Sequence, residues 1–372
     1  MSPRLPIKSM KKIIWGVAII ATIGLVVFVA LRKQSQETVG TIRIGVLSIL
    51  SGDGAAWGES AKKGIDLAVE EWRNSHRDRV IELIYEDTAG EAKQAVTAYQ
   101  KLVSVDNVDA IIGPLLQAEI AAVAPLVDKN TVPVIAPSYA PAENRPNRRN
   151  PLLVWTDVTE EAESMAEYVF SQGVRTVSAV GTKDAWESEV TNAFAGRFGA
   201  LGGSVLYKEL VQPDASDVKS TWTHALAEKP EAVFIGTYYQ FINSTKTLAD
   251  LGYKGKRFSI EVDQYLANET KNTSNGLQFI APDFYASDFV AKFQAKYKEK
   301  PGIPAGQAYD AANILLSFFE KASSKEAVLE DMRKIEEYNG ASGLIQFTKE
   351  NKTILPTAIF ELRDGNAVKI SP

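Results

Sequence analysis

IRIGVLSILSGDGAAWGESAKKGIDLAVEEW, residues 42–72, is the stretch whose reading decides the fold. Residues 42–50 form an apolar run closed by Ser51 and Gly52, the pattern of a strand buried on both faces. Residues 59–72 then place Ala61, Ile65, Ala68, Val69 and Trp72 on one face at helical spacing. The chain repeats this strand-then-helix unit. RVIELIYED (79–87) is the next strand and 90–104 the next helix. VDAIIG (108–113), a helix from 117 and VPVIAPS (132–138) follow. Near-continuous Val/Ile runs separated by helices predict parallel strands covered on both sides.

The order restarts after PAENRPNRRNP (141–151), a connection with three prolines and three arginines. TVSAVG (176–181), a helix over 187–200, GSVLYKELV (203–211), a helix over 216–228, EAVFIG (231–236), a helix over 239–251 and RFSIEV (257–262) form a second βα series. Two such series predict an α/β protein with two doubly wound, Rossmann-like lobes. After GLQFIAP (276–282), two helical stretches at 284–298 and 305–322 follow without an intervening strand. They are expected to return to the first sheet. Strand-like GLIQF (343–347) and TAIFELR (357–363) are expected to cross back. The division is therefore 42–155 plus 283–342 for lobe 1 and 156–282 plus 343–372 for lobe 2. Several crossings make a hinge and leave a cleft.

Ahead of this body, residues 13–31 (IIWGVAIIATIGLVVFVAL) carry no charge. At ~1.5 Å rise per residue they nearly cover a ~30 Å hydrocarbon core. Two readings stand: a transmembrane anchor, and a secretory signal cleaved after Ala30. Bulky Phe28 and the charges of Arg32 and Lys33 sit badly around a cleavage site and favour the anchor. Arg4, Lys8, Lys11 and Lys12 put residues 1–12 in the cytoplasm, with 32–41 as linker and the body on the outer side.

Residues 1–40 hold six Lys/Arg and one Glu, which leaves the body 35 basic and 45 acidic residues, net −10. That balance argues against nucleic acid or anionic lipid as its main partner. With no cysteine, disulfides, thiolate metal sites and a lipidated cysteine are excluded. The two histidines, His76 and His224, lie away from the strand-end loops, and no G-x-S-x-G or H-E-x-x-H occurs. No metal, no cofactor and no enzymatic activity are expected.

Ligands of open α/β sheets bind beyond the carboxyl ends of the strands. Those loops carry Trp57, Gln117, Ser138 and Tyr139 in the first half. In the second half they carry Trp186, Tyr238 with Tyr239, and Glu261, Asp263 and Tyr265. Aromatics from both halves, with carboxylates and neutral hydrogen-bonding groups, suit a small organic molecule held between lobes. The candidate ligand-binding set is Trp57, Gln117, Ser138, Tyr139, Trp186, Tyr238 and Asp263. Each has a structural alternative: lid packing for the aromatics, a helix cap for Asp263, a surface first turn for Gln117. Only one of Tyr238 and Tyr239 should point inward, and Glu261, two residues before Asp263, should face elsewhere. Helix N-termini after the first-half loops offer a place for an anionic group.

At these loops the chain resembles the type I periplasmic binding proteins of the leucine/isoleucine/valine-binding family. The resemblance runs from about residue 42 to 363. It rests on residues 42–72, YEDTAGEAKQAVTAYQKLV (85–103), VDAIIGPLLQAEIAAVAPLVDKNTVPVIAPSYA (108–140) and AYDAANILL (308–316). It implies two lobes joined by three crossings, closing on a solute that is handed to an ABC permease. It implies that Trp57 lies over the ligand side chain, that Trp186 and Tyr238 line the cleft, and that Asp263 lies near the acid that holds an α-amino group. Where family amino-acid binders hold the α-carboxylate with a serine and a threonine, this chain has Gln117 and Ala140.

The reading is an extracytoplasmic solute-binding receptor, anchored by its N-terminal helix, for an amino acid or a related amide or carboxylate. A second reading keeps the fold and makes it a membrane-anchored sensor or regulator. A distant third, a nicotinamide-dependent oxidoreductase, rests on Gly52, Gly54 and Gly58. Their G-x-G-x-x-x-G spacing is a poor match, and Trp57 crowds the place a pyrophosphate needs.

Overall fold

The computed structural model describes residues 41–52, 54–77, 79–140, 149–283, 285–322 and 324–371. The segment 13–31 and most of the 141–151 connection lie outside them. Among the described residues no helix is long and apolar enough to cross a membrane.

The opening stretch folds as read. β1 (Thr41–Ser48) leads into α1 (Ala55–Ser75). β2 (Val80–Asp87), α2 (Ala92–Ser104), β3 (Ala110–Ile112), α3 (Gln117–Val127), β4 (Val134–Ala136) and β5 (Leu152–Leu153) follow. The five strands pair in parallel in the order β2-β1-β3-β4-β5. Alternation decides which face each residue serves. Ile44, Val46, Ala110 and Ile112 pack toward α1, whereas Leu47, Ile111 and Val134 pack with residues of α2 and α3.

The second sheet has seven strands. β6 (Thr176–Thr182), β7 (Ser204–Val211), β8 (Ala232–Gly236), β9 (Lys256–Ile260) and β10 (Gln278–Pro282) are parallel in the order β7-β6-β8-β9-β10. Here too successive residues part company. Ala232 and Phe234 join α4 (Val158–Ser171) and α5 (Ala185–Ala200) in one core, where Phe234 stacks on Phe194 at 3.8 Å. Val233 and Ile235 join α6 (Lys219–Ala227), α7 (Phe241–Asp250) and α8 (Gln264–Glu269) around fully buried Trp222.

After β10 the chain leaves this sheet. α9 (Ser287–Tyr297), α10 (Ala305–Lys321) and α11 (Lys325–Lys334) follow. α10 lies along α1, with the Tyr309 hydroxyl donating to Glu71 at 2.6 Å, and residues of α10 and α11 complete the first core. Of the two unpunctuated helices, α10 therefore returns to the first core, and α9 packs beside it on α1 and α10 through Phe289 and Phe293.

GLIQF departs from expectation. It is β12 (Gly343–Phe347), the middle of a small antiparallel sheet with β11 (Glu337–Gly340) and β13 (Thr353–Ile354). Its Ile345 and Phe347 pack in the first core. The cause is local. Buried Asp310 accepts from the N–H groups of Ala341 (2.7 Å) and Ser342 (2.8 Å) and pins the tight turn between β11 and β12 on α10. The chain re-enters the second sheet only at β14 (Thr357–Arg363), antiparallel to β10, and ends in β15 (Asn366–Ser371). β14, not β12, is thus the segment that pairs in the second sheet.

Three segments pass between the two cores and bond to one another. The Asp157 N–H donates to the Thr353 carbonyl (2.9 Å), and the Asp283 N–H to that of Pro356 (2.7 Å). The Thr353 hydroxyl donates to the Leu153 carbonyl at 2.6 Å. Helix α4, absent from the sequence reading, starts directly after the first crossing. Asp157 caps it, accepting from the Thr159 N–H at 3.1 Å.

Candidate functional site

Trp57 sits in the first turn of α1, half-buried, and packs against both cores. Its ring lies 5.8 Å from that of Trp155, tilted by 33°. Trp155 belongs to the first crossing segment, and its indole N–H donates to a Glu261 oxygen at 2.9 Å. Glu261 follows β9 in left-handed backbone, φ +46°, which non-glycine residues seldom adopt. The sequence reading turned Glu261 away from the site. The reversed φ instead brings it onto Trp155. Facing it is Glu161, in the first turn of α4, only 1% exposed. Apart from the Glu261 carboxyl beside it, neither Glu161 oxygen has a hydrogen-bond partner among the described residues, and Trp57 Nε1 is buried without one.

Tyr139, after β4, is buried against the second core and donates its hydroxyl to Glu189 of α5. Glu189 also accepts from the Thr159 hydroxyl at 2.7 Å. Tyr139 thus links the first sheet's edge to the second lobe. Ser138 beside it is buried.

A second group gathers on the far lobe. Trp186, half-buried in the first turn of α5, packs on the second core, and its N–H donates to the capping Asp184 at 2.9 Å. Buried Glu187 accepts from the N–H groups of Tyr238 (2.7 Å) and Tyr239 (3.0 Å) and so shapes the loop after β8. The Tyr238 hydroxyl donates to Asp263 at 2.9 Å. The other Asp263 oxygen accepts from the Leu266 N–H at 2.7 Å and caps α8. The two adjacent tyrosines differ less than expected: Tyr238 is 37% and Tyr239 60% exposed, and Tyr265 is 58% exposed. With both its oxygens engaged, Asp263 serves as a cap. Asp263→Ala should cost about 1 kcal/mol by denaturant unfolding and free the Tyr238 hydroxyl.

In the first lobe, carboxylates of the chain itself engage several N–H groups of the loops beside the helix N-termini. Asp87 accepts from the N–H groups of Leu50 (2.9 Å) and Ala89 (2.8 Å) and from the Ser51 hydroxyl (2.6 Å). These bonds hold its carboxyl below the ordinary aspartate range, the Ser51 bond foremost. They also occupy the carboxylate a nucleotide ribose would need. Glu119 accepts from the N–H groups of Leu115 (3.2 Å) and Leu116 (3.0 Å) ahead of α3. Gln117, at the start of α3, is half-buried with a buried amide oxygen that accepts no bond.

Burial sets the electrostatics. It pushes Glu187 and Glu261 each up to about 7. Burial, and then the facing Glu261, raises Glu161 well above the ordinary glutamate range. Burial and Asp263 raise Tyr238. His76 instead stacks on Trp72 at 4.3 Å near Glu320. Among the described residues no group of three or more His, Asp or Glu is placed to hold a metal ion.

The sequence reading does not single out Trp155, Glu161, Glu187 or Glu189. Trp155 ends a run, LLVW, that was passed over beside the connection. Glu161, Glu187 and Glu189 sit among other acidic residues on helices, where a buried carboxylate looks like a solvated one.

Residues 41–366 match the family described as "Periplasmic binding protein". A Leu/Ile/Val-binding protein of Rhizobium johnstonii is 28% identical over 204 residues, 53% of this chain and about half (55%) of that relative. A Leu/Ile/Val-binding protein homolog of Brucella melitensis is 24% identical over 96% of this chain and 98% of its own. The crystal structure of a branched-chain amino acid transporter substrate-binding protein from Streptococcus pneumoniae, in complex with isoleucine, superposes with a TM-score of 0.80. It is 19% identical, over 90% of this chain and 100% of that one. With two βα lobes, three bonded crossings and a family match over nearly all its described length, the chain belongs to the periplasmic binding proteins.

Proposed function

We propose that this chain is an extracytoplasmic receptor that closes its lobes on a small organic solute of amino-acid size and presents it to an ABC permease. Residues 13–31 tether it to the membrane. The chemistry is noncovalent: closure excludes water, and the solute favours the closed form only by binding it better than the open one. The lobes divide near residues 155, 283 and 356. Trp57, Tyr139, Trp155 and Glu261 contact the solute at the crossings, with Gln117, Ser138 and Trp186 beside them. Tyr238 lines the outer lip, ordered by Asp263.

The observation that carries this reading is the run Trp57–Trp155–Glu261, which passes from one lobe to the other beside the crossings. An element that touches both lobes at the hinge feels closure directly. The relatives' descriptions as Leu/Ile/Val-binding proteins support the solute size.

A cognate solute at about 100 times its Kd should stabilise the protein by roughly 2.7 kcal/mol and reduce its radius of gyration in X-ray scattering. Trp57→Ala should lose most of that thermal shift. An unchanged response in the variant would remove Trp57 from the site, and a solute that binds without compaction would remove lobe closure.

A further inference from the structure

We propose that Glu189 is a positioning residue for solute binding. From the second lobe it holds the Tyr139 hydroxyl of the first, a latch that exists only when the lobes are together and that raises affinity without touching the solute. This assignment rests on the receptor reading above and deepens it.

The latch has one end on each lobe. Tyr139 follows β4 of the first sheet, yet it is only 5% exposed, because its ring packs in the second core with Val158 of α4 and Val190 of α5. Its hydroxyl donates to one oxygen of Glu189. The other oxygen accepts from the Thr159 hydroxyl at 2.7 Å. Thr159 stands in the first turn of α4, where its N–H donates to the capping Asp157 at 3.1 Å. Thr159 and Glu189 both belong to the second lobe, so their bond aims the carboxylate whether or not the first lobe is near. Tyr139 is the partner that arrives with closure.

Helix geometry frees Glu189 for this task. At ~100° per residue, Glu187 and Glu189 point about 200° apart around α5. Glu187 turns to its own lobe and accepts from the N–H groups of Tyr238 (2.7 Å) and Tyr239 (3.0 Å). Glu189, half-buried, turns to the first lobe.

Other contacts between the lobes differ in kind. Trp57, and Ile303 ahead of α10, also pack on the second core, but apolar contact is non-directional. Lys352 pairs with Glu160 at 2.9 Å beside the third crossing, and a pair this exposed contributes little. A hydroxyl donating to a carboxylate is among the stronger hydrogen bonds, and partial burial protects it from screening.

A bond made only in the closed form shifts the population toward that form. Apparent affinity scales with the fraction of chains able to close on the solute. Loss of the latch should therefore weaken every solute by one common factor and leave the ranking of solutes unchanged. A residue that reads the solute directly would change the ranking.

The test uses the full chain in detergent micelles, with leucine, isoleucine and benzoate as probes in calorimetry. The chain has no native cysteine, so spin labels on Lys93→Cys and Lys183→Cys, exposed positions after β2 and β6, report the separation of the lobes. Glu189→Ala and Tyr139→Phe should each lower the affinity for any probe that binds by about tenfold or more, and by the same factor for each probe. The double variant should be no weaker than the weaker single. Glu160→Gln should stay within about twofold of the parent. Without solute, the labels should move to longer distances in both single variants and no further in the double. Tyr139→Phe keeps the buried ring, so a folding defect in Glu189→Ala leaves the latch testable. Losses that add in the double variant, a changed ranking of the probes, or an equal loss in Glu160→Gln overturns the latch. If no probe binds, the label distances decide, and distances that the variants leave unchanged overturn it. The receptor reading falls separately, if no solute compacts the parent chain.

Discussion

Gly58→Ala should lower the melting temperature by roughly 5–10 °C, although it places a better helix former in the body of α1. By propensity alone the change gains up to about 1 kcal/mol. The packing opposes it more strongly. A Cβ on Gly58 would lie 1.7 Å from the Ile49 carbonyl oxygen and 2.5 Å from its carbon. Both are backbone atoms, so no side chain can rotate out of the way. α1 must lift from the end of β1, breaking the Ser48 hydroxyl bond to the Gly58 carbonyl (3.3 Å) and displacing neighbouring Trp57. Overpacking of this severity costs about 3 kcal/mol or more, which a domain of this size converts at about 2–4 °C per kcal/mol. The control is Gly196→Ala in α5, where nothing lies within 4 Å of the new carbon. That variant should be stabilised by about 0.5–1 kcal/mol. If both variants melted alike, close approach would not be what keeps residue 58 a glycine.

Stability should fall as pH rises from about 4.5 to 7, and Glu187→Gln should flatten the fall. Glu187 is held at about 7 by burial, although the N–H groups of Tyr239 and Tyr238 favour its charged form. A carboxyl whose pKa is higher folded than unfolded binds its proton more tightly in the folded state. Its contribution is full below the unfolded value and is lost as pH climbs through the folded one. From 4.5 to about 7 that amounts to on the order of 3 kcal/mol. Glu261 at about 7 and Asp310 at about 6 act in the same direction. Asp87 and Glu361, held low by their hydrogen bonds, act oppositely in more acidic solution. Glutamine at 187 keeps a carbonyl acceptor for the two tyrosine N–H groups but carries no charge. The variant should be more stable than the parent at pH 8 and closer to it at pH 4.5, by denaturant titration at each pH. A variant less stable at pH 8 would mean that the ionised carboxylate supports the 238–239 loop.

The two lobes were legible because period-2 burial and helical spacing are local properties. Ala232, Val233, Phe234 and Ile235 declare a doubly covered strand whatever surrounds them. The return of α9 and α10 was legible for the same reason: two helices with no strand between them cannot extend a parallel sheet. α4 was hidden by its own composition, since Glu160, Glu161, Glu163 and Glu167 obscure the apolar stripe of Val158, Ala162, Met165, Ala166 and Val169. β12 was misplaced because an apolar run states that it is buried, not in which core. The choice was made by Asp310 on a distant helix.

For the candidate site, the strand-end rule selects Trp57, Tyr139 and Trp186, because loop position after a strand is written in the chain. It did not bring out the partners. Asp263 and Glu261 lie two residues apart, both carboxylates in one loop. The fold makes one a helix cap and turns the other onto Trp155, through a positive φ that residue type does not announce.

By itself, then, the order of residues determined two parallel βα lobes, their aromatic strand-end loops and an apolar segment ahead of them. Only the tertiary structure decided which carboxylates lose their water and face each other, and which backbone donors are consumed internally. The reason is physical: hydrophobic periodicity acts over a few residues, whereas the pKa of Glu161 is raised first by burial and then by Glu261, a hundred residues away in the sequence.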